Sequence, residues 1–88
     1  MPAKIVMYST RFCPFCIQAR RLLTAKNADF SDIDVGGDQT LWGEMSRLSN
    51  GGDTVPQIFI NDQPIGGYSD MVELDHEGKL DDMLATSP

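Results

Sequence analysis

The sequence predicts an α/β domain built on a mixed four-stranded sheet, in the order β-α-β-α-β-β-α, with helices on both faces. Three observations predict it. A short β-branched apolar run, Ile5-Val6-Met7, hands over to a stretch with helical apolar spacing, a second strand-like run follows at residues 30–35, and two short strands flank Asn61-Asp62. Two strands joined through a helix pair in parallel by a right-handed crossover, whereas strands joined by a tight turn are antiparallel, so the sheet must be mixed.

Taken in order, Lys4 to Tyr8 lacks helical spacing and reads as a buried strand, left through the loop Ser9 to Phe12. From Cys13 or Pro14 to about Lys26, Cys16, Ala19, Leu22 and Leu23 recur at helical spacing, and Pro14 suits a first turn, where its missing N–H costs nothing. Asn27, Ala28 and Asp29 end that helix. Phe30 to Val35 alternates imperfectly and reads as the second strand. Gly36-Gly37-Asp38 turns the chain, with Asp38 a candidate N-cap for an amphipathic helix marked by Leu41, Met45 and Leu48.

After the break at residues 50–53, Pro56 introduces a third strand from its start, where proline is tolerated, and Ile58 and Ile60 share one face of it. Asn61-Asp62 forms a hairpin turn into Gln63 to Gly66. Gly67 and Tyr68 lead to a helix with Ser69 as the expected N-cap and Gly78 as its stop, and Leu80, Met83 and Leu84 mark a last short helical segment.

With 88 residues, the chain has room for one domain, expected to span residues 1–88. The net charge of −6 works against binding nucleic acid. No stretch approaches a membrane span, and the N-terminal residues lack the pattern of a secretory signal, so a cytoplasmic protein is expected. Five of the seven basic residues, Lys4, Arg11, Arg20, Arg21 and Lys26, precede Asn27, and no carboxylate does, so the first helix is expected to sit in a locally positive field.

Both cysteines lie there. Cys13-Pro14-Phe15-Cys16 stands where a strand hands over to a helix, which puts Cys13 at the helix N-terminus, near unpaired N–H groups and the positive end of the helix dipole that favour a thiolate. Cys13 is therefore the expected nucleophile. Cys16, one turn on and deeper, keeps its proton longer and is the expected resolving thiol. The competing use of such a pair is half of a zinc site, but with only two cysteines and His76 one molecule cannot complete the tetrahedron. Redox use is the reading the spacing supports. Trp42 and the five methionines read as packing, and His76 as a partner of a helix C-terminus.

Three blocks, Cys13-Pro14-Phe15-Cys16, Thr54-Val55-Pro56-Gln57-Ile58-Phe59-Ile60 and Gly66-Gly67-Tyr68-Ser69-Asp70-Met71, taken in this order, resemble a two-cysteine glutaredoxin over nearly the whole chain. The resemblance implies a thioredoxin-like fold, a cis peptide before Pro56, and glutathione as reductant and co-substrate with no bound cofactor. It also implies glutathione contacts at Phe15, Thr54, Val55, Pro56, Gly67, Tyr68, Ser69 and Asp70. Val55 would pair with the peptide backbone as an added strand does, and the helix start at Ser69-Asp70 would hold the γ-glutamyl group. The expected partners are disulfide-bonded or glutathionylated proteins, with glutathione reductase acting indirectly, and the expected state is a monomer.

The chain departs from the family pattern in three places. Thr10 stands where a Lys or Arg is frequent, leaving Arg11 as the candidate to hold the glycine carboxylate and Arg47 as a weaker one. Asp53 stands where a basic residue often precedes Thr-Val-Pro, and Phe15 where tyrosine is commonest. Two rivals remain at this point: a thioredoxin-like donor recycled by a flavoprotein reductase, and a dimer holding an iron-sulfur cluster through Cys13 and glutathione.

Overall fold

The computed structural model describes residues 3–88; Met1 and Pro2, where the N-terminal stretch read above begins, lie outside them. Eight elements follow in order: β1 (Ile5–Ser9), α1 (Pro14–Ala25), β2 (Ser31–Asp34), α2 (Gln39–Leu48), β3 (Gln57–Ile60), β4 (Gln63–Gly66), α3 (Tyr68–His76) and α4 (Lys79–Ala85). The sheet has the spatial order β2-β1-β3-β4. β1 pairs in parallel with β2, Val6 opposite Ser31, and antiparallel with β3, Val6 opposite Phe59, and β3 pairs antiparallel with β4. The expected mixed sheet is thus formed.

Side chains alternate across a strand, and the two central strands use the alternation to build two cores. On one face Ile5, Met7, Ile58 and Ile60 pack with Ala19 and Leu23 of α1, Met71 of α3 and Leu80 of α4. On the other, Tyr8 and Phe59 meet Met45 of α2 and Val35, with Leu41 and Trp42 packed alongside. The Tyr8 and Phe59 rings are edge to face, 5.5 Å apart. Met7, Leu23, Met45, Ile58, Met71 and Leu80 are fully buried, and each such side chain contributes roughly 1.5–3 kcal/mol by leaving water.

β2 is shorter than the sequence suggests and mostly exposed, because it is an edge strand that carries Asp32 and Asp34. Charge on an edge discourages pairing with another chain. Asp38 caps α2 as expected, its Oδ1 accepting from the Leu41 N–H at 3.0 Å. Asn61 and Asp62 both adopt the left-handed conformation of a tight hairpin turn. Gly78, also left-handed, separates α3 from α4.

The N-cap expected at Ser69 lies instead at Gly67. Gly67 is extended, and its N–H donates to Asp70 Oδ2 at 2.9 Å, so the helix starts earlier and Ser69 falls within its first turn. The locally positive field expected around α1 is also reduced, because folding brings carboxylates from later in the chain onto its cations. Lys26 Nζ lies 2.7 Å from Asp75 and 2.9 Å from Asp81, Arg20 pairs with Asp32, and Lys4 with Asp62. Arg11 and Arg21 form no ion pair among the described residues.

Candidate active site

Pro14 takes the first helical position of α1 and leaves Cys13 as the N-cap, with extended backbone at φ −81° and ψ 119°. A cap residue's side chain ordinarily supplies an oxygen to the first free N–H groups. Here a sulfur does so: Cys13 Sγ accepts from the Cys16 N–H at 3.3 Å. The Cys13 thiol in turn faces the Val55 carbonyl at 3.7 Å, across 42 residues of sequence. Both cysteines are free thiols, Cys13 partly exposed and Cys16 buried.

Burial drives the difference between them. It pushes the Cys16 thiol up to about 11, helped by its hydrogen bond with Cys13, while the Thr10 backbone and the Arg20 charge pull the other way. A buried thiol that keeps its proton is a poor first attacker and a suitable second one.

Beside Cys13 a cleft of about 520 Å³ runs between α1, the Thr54–Pro56 loop and the start of α3. It gathers Phe15, Thr54, Val55, Pro56, Gly67, Tyr68, Ser69 and Asp70, all of which the sequence resemblance singled out. The Phe15 and Tyr68 rings lie 6.4 Å apart, tilted by 30°. The Val55–Pro56 peptide is cis, as expected. At the far end the first intrahelical bond of α3 runs from the Met71 N–H to the Gly67 carbonyl, which leaves the amides of Tyr68, Ser69 and Asp70 without helical partners. Such a helix start favours a carboxylate.

Gln57 and Gly66 also line the cleft and were not singled out as contacts, although both stand inside the motif blocks. Gln57 is buried, and its Nε2 donates to the Thr54 carbonyl at 2.9 Å, bracing the loop from behind. Gly66 has φ +111°, and a Cβ there would collide with the Asp70 carboxylate, with Cγ only 2.8 Å away. Only glycine leaves Asp70 room to cap α3. Asp53, the acidic departure before Thr54, accepts from the Trp42 indole N–H, which joins α2 to the same loop.

Arg11 does not line this cleft. It is exposed and borders a separate cavity of about 300 Å³ with Ser9, Arg20, Asp32 and Asp34. Arg47 stands in the last turn of α2 and lines neither cavity. His76 stands in the last turn of α3, as expected of a partner for that helix end.

Residues 5–65 match the family model described as Glutaredoxin. The chain is 42% identical to a glutaredoxin of Pseudomonas aeruginosa over 81 residues, covering 92% of this chain and 95% of that one. Among solved structures it resembles a dithiolic glutaredoxin of Trypanosoma brucei brucei at a TM-score of 0.82 and 41% identity, covering 93% of this chain and 87% of that one. It also resembles a buckwheat glutaredoxin solved as a glutathione complex, at a TM-score of 0.84 and 25% identity, with 93% and 76% covered. The thiol pair on a helix start, the thioredoxin-like sheet behind it and these matches agree: the chain belongs to the glutaredoxin family of thiol-disulfide oxidoreductases.

Proposed function

We propose that the chain, acting as one domain over residues 1–88, uses Cys13 as nucleophile and Cys16 as resolving thiol, with glutathione held in the adjacent cleft. The Cys13 thiolate attacks a disulfide between glutathione and another thiol. The Cys13–glutathione bond forms, the substrate thiolate leaves and takes up a proton, and Cys13 carries the glutathione. A second glutathione then attacks the sulfur of the bound one, leaving as glutathione disulfide and freeing the Cys13 thiolate, or Cys16 attacks Cys13 and expels glutathione; the latter route leaves an internal disulfide that two glutathiones reduce. No resident cofactor enters the cycle.

The observation that carries this reading is the Cys13 sulfur facing, at 3.7 Å, the carbonyl of Val55, a residue that lines the cleft. A peptide lying along Val55 as an added strand presents its own cysteine sulfur to Cys13. Its γ-glutamyl carboxylate then meets the free amides at the start of α3, and the Asp70 carboxylate accepts from its α-amino group. Phe15 and Tyr68 wall the cleft, Thr54 and Pro56 shape the loop, and Gly67 and Ser69 complete the helix start. Arg11, exposed and two residues before Cys13, is assigned the glycine carboxylate.

Phe12, Phe15 and Ile17 are exposed around Cys13, Phe12 at 86%. That apolar rim suits polypeptide substrates, either disulfide-bonded or glutathionylated. Free thiols suit a reducing compartment such as the cytoplasm. No helix among the described residues is long and apolar enough to cross a membrane. We assign the chain a monomeric state. The rival in which a flavoprotein reductase recycles the pair needs no γ-glutamyl site, and the cleft at Gly67–Asp70 favours glutathione over it.

The test is turnover of a small mixed disulfide of glutathione, coupled to glutathione reductase and NADPH, for the intact protein, Cys13→Ser and Cys16→Ser. Cys13→Ser is expected to fall to background while Cys16→Ser keeps much of the activity. Absence of turnover by the intact reduced protein contradicts the proposal.

A further inference from the structure

Three polar side chains and a backbone carbonyl are tied together behind the thiols, outside the glutathione cleft. Arg20 follows Cys16 by one helical turn on α1. Its Nε donates to Asp32 Oδ2 at 2.6 Å, and its Nη2 donates to Ser9 Oγ at 2.9 Å and to the Thr10 carbonyl at 3.3 Å. Ser9 Oγ donates to the other Asp32 oxygen. Ser9 is 1% exposed, at the end of β1, and Asp32 lies on β2, so one guanidinium joins α1, two strands and the loop that delivers Cys13.

This is more than a surface ion pair. An exposed pair contributes little, because its side chains must be ordered against solvent. The Arg20 and Asp32 side chains are only about 30% exposed, at 29% and 31%, and the guanidinium is satisfied by three different acceptors. A planar fork fixed on several sides is preorganised, and the charge it carries stays in one place. That place is one helical turn from Cys16, the Thr10 carbonyl it grips belongs to the loop that delivers Cys13, and the Arg20 charge draws the Cys16 thiol down against the upward push of burial.

We propose that Arg20, locked by Asp32 and Ser9, is a positioning residue for the resolving step, setting how readily Cys16 attacks Cys13 once Cys13 carries glutathione. The inference rests on the glutathione cycle proposed above and names its control. In that step the Cys16 sulfur gives up its proton and bonds to Cys13 Sγ. The Cys13–glutathione bond breaks, and glutathione leaves as a thiolate that takes up a proton, so one thiol and one disulfide become one disulfide and one thiol with no outside oxidant. The step needs negative charge to develop on a buried sulfur. A fixed cation nearby, together with a held Thr10 backbone, lowers that cost. Attack by a second glutathione from solvent on the sulfur of the bound glutathione, which frees the Cys13 thiolate and releases glutathione disulfide, needs no charge on Cys16 and does not draw on the network.

Arg20 therefore decides between the two-cysteine and one-cysteine routes. The test uses the full chain as wild type, Arg20→Gln and Arg20→Lys, each reduced, exposed to glutathione disulfide, quenched with acid and read by intact mass. Wild type is expected to collect mainly as the internal Cys13–Cys16 disulfide, and Arg20→Gln to shift severalfold toward the Cys13–glutathione adduct. Arg20→Lys, which keeps a charge without the fork, should fall between them. In a Cys16→Ser background, Arg20→Gln is expected to leave turnover of the small mixed disulfide within about twofold, which a general loss of structure would not do. Far-UV circular dichroism of each variant checks the fold, and Ser9→Ala, which removes one acceptor and keeps the charge, gives a milder shift if Arg20→Gln does not fold. An unchanged partition in folded Arg20→Gln, or in Ser9→Ala where it alone folds, overturns the inference. A wild type that forms no glutathione adduct even as Cys16→Ser overturns the cycle on which it rests.

Discussion

The two sides of Cys13 are built in different ways. On the α1 side a single turn of backbone supplies nearly everything: Pro14 starts the helix, Cys13 caps it, and the Cys16 N–H returns to the Cys13 sulfur within three residues. On the cleft side nothing is local, since the Val55 carbonyl arrives from 42 residues away and the α3 start comes from farther still. The thiol side needs only a helix terminus to prepare sulfur chemistry. The cleft side needs the whole sheet, because β3 must pair with β1 before Thr54–Pro56 stands beside Cys13.

The thiol side can be tested through Cys16. Its thiol is fully buried in the reduced protein, and its folded pKa is raised from 9.0 to about 11. A group whose folded pKa is raised stabilises the native state fully below its unfolded value, and that stability disappears as pH rises through the folded value. Reduced wild type should therefore lose about 2–3 kcal/mol relative to Cys16→Ala between pH 9 and pH 11. Urea unfolding of both proteins across that range measures it. Parallel pH curves would show that Cys16 is not held neutral by burial, and the contrast between the thiols would collapse.

The cleft side has a sharper steric handle. Gly66→Ala forces a Cβ against the Asp70 carboxylate and places a side chain at φ +111°. We expect a loss of about 1–3 kcal/mol in stability, with weaker glutathione binding by calorimetry and an unaltered internal disulfide. The milder Asp70→Asn keeps the shape but removes the charge that accepts from the Gly67 N–H at 2.9 Å. Its stability cost should be about 1 kcal/mol or less, with a raised KM for the glutathione mixed disulfide and little change in kcat. Equal effects of both substitutions on kcat and KM would mean that Asp70 acts through the thiols and not through the cleft.

The same contrast explains what could be read from the sequence. Cys13-Pro14-Phe15-Cys16 was legible because its roles follow from position on one helix, and the strands carrying Ile5, Met7, Ile58 and Ile60 were legible because their alternation is a local property. The α3 cap was misplaced because serine is a common cap, while Gly67 takes the position through its N–H bond to the Asp70 carboxylate, a bond that the glycine itself does not announce. The positive surroundings of α1 were overstated because no local pattern shows that Asp75 and Asp81 will reach Lys26. Gln57 and the Ser9–Arg20–Asp32 network escaped notice for the same reason, since each acts through a partner that only the folded sheet supplies.

The most direct measurement is the site of glutathione attachment. Cys16→Ser protein, reduced and then exposed to glutathione disulfide, should carry a single glutathione on Cys13 by peptide mass mapping, and reduced glutathione should remove it. Failure to form that adduct on the folded protein would contradict the assignment of Cys13 as the nucleophile of a glutathione-dependent cycle.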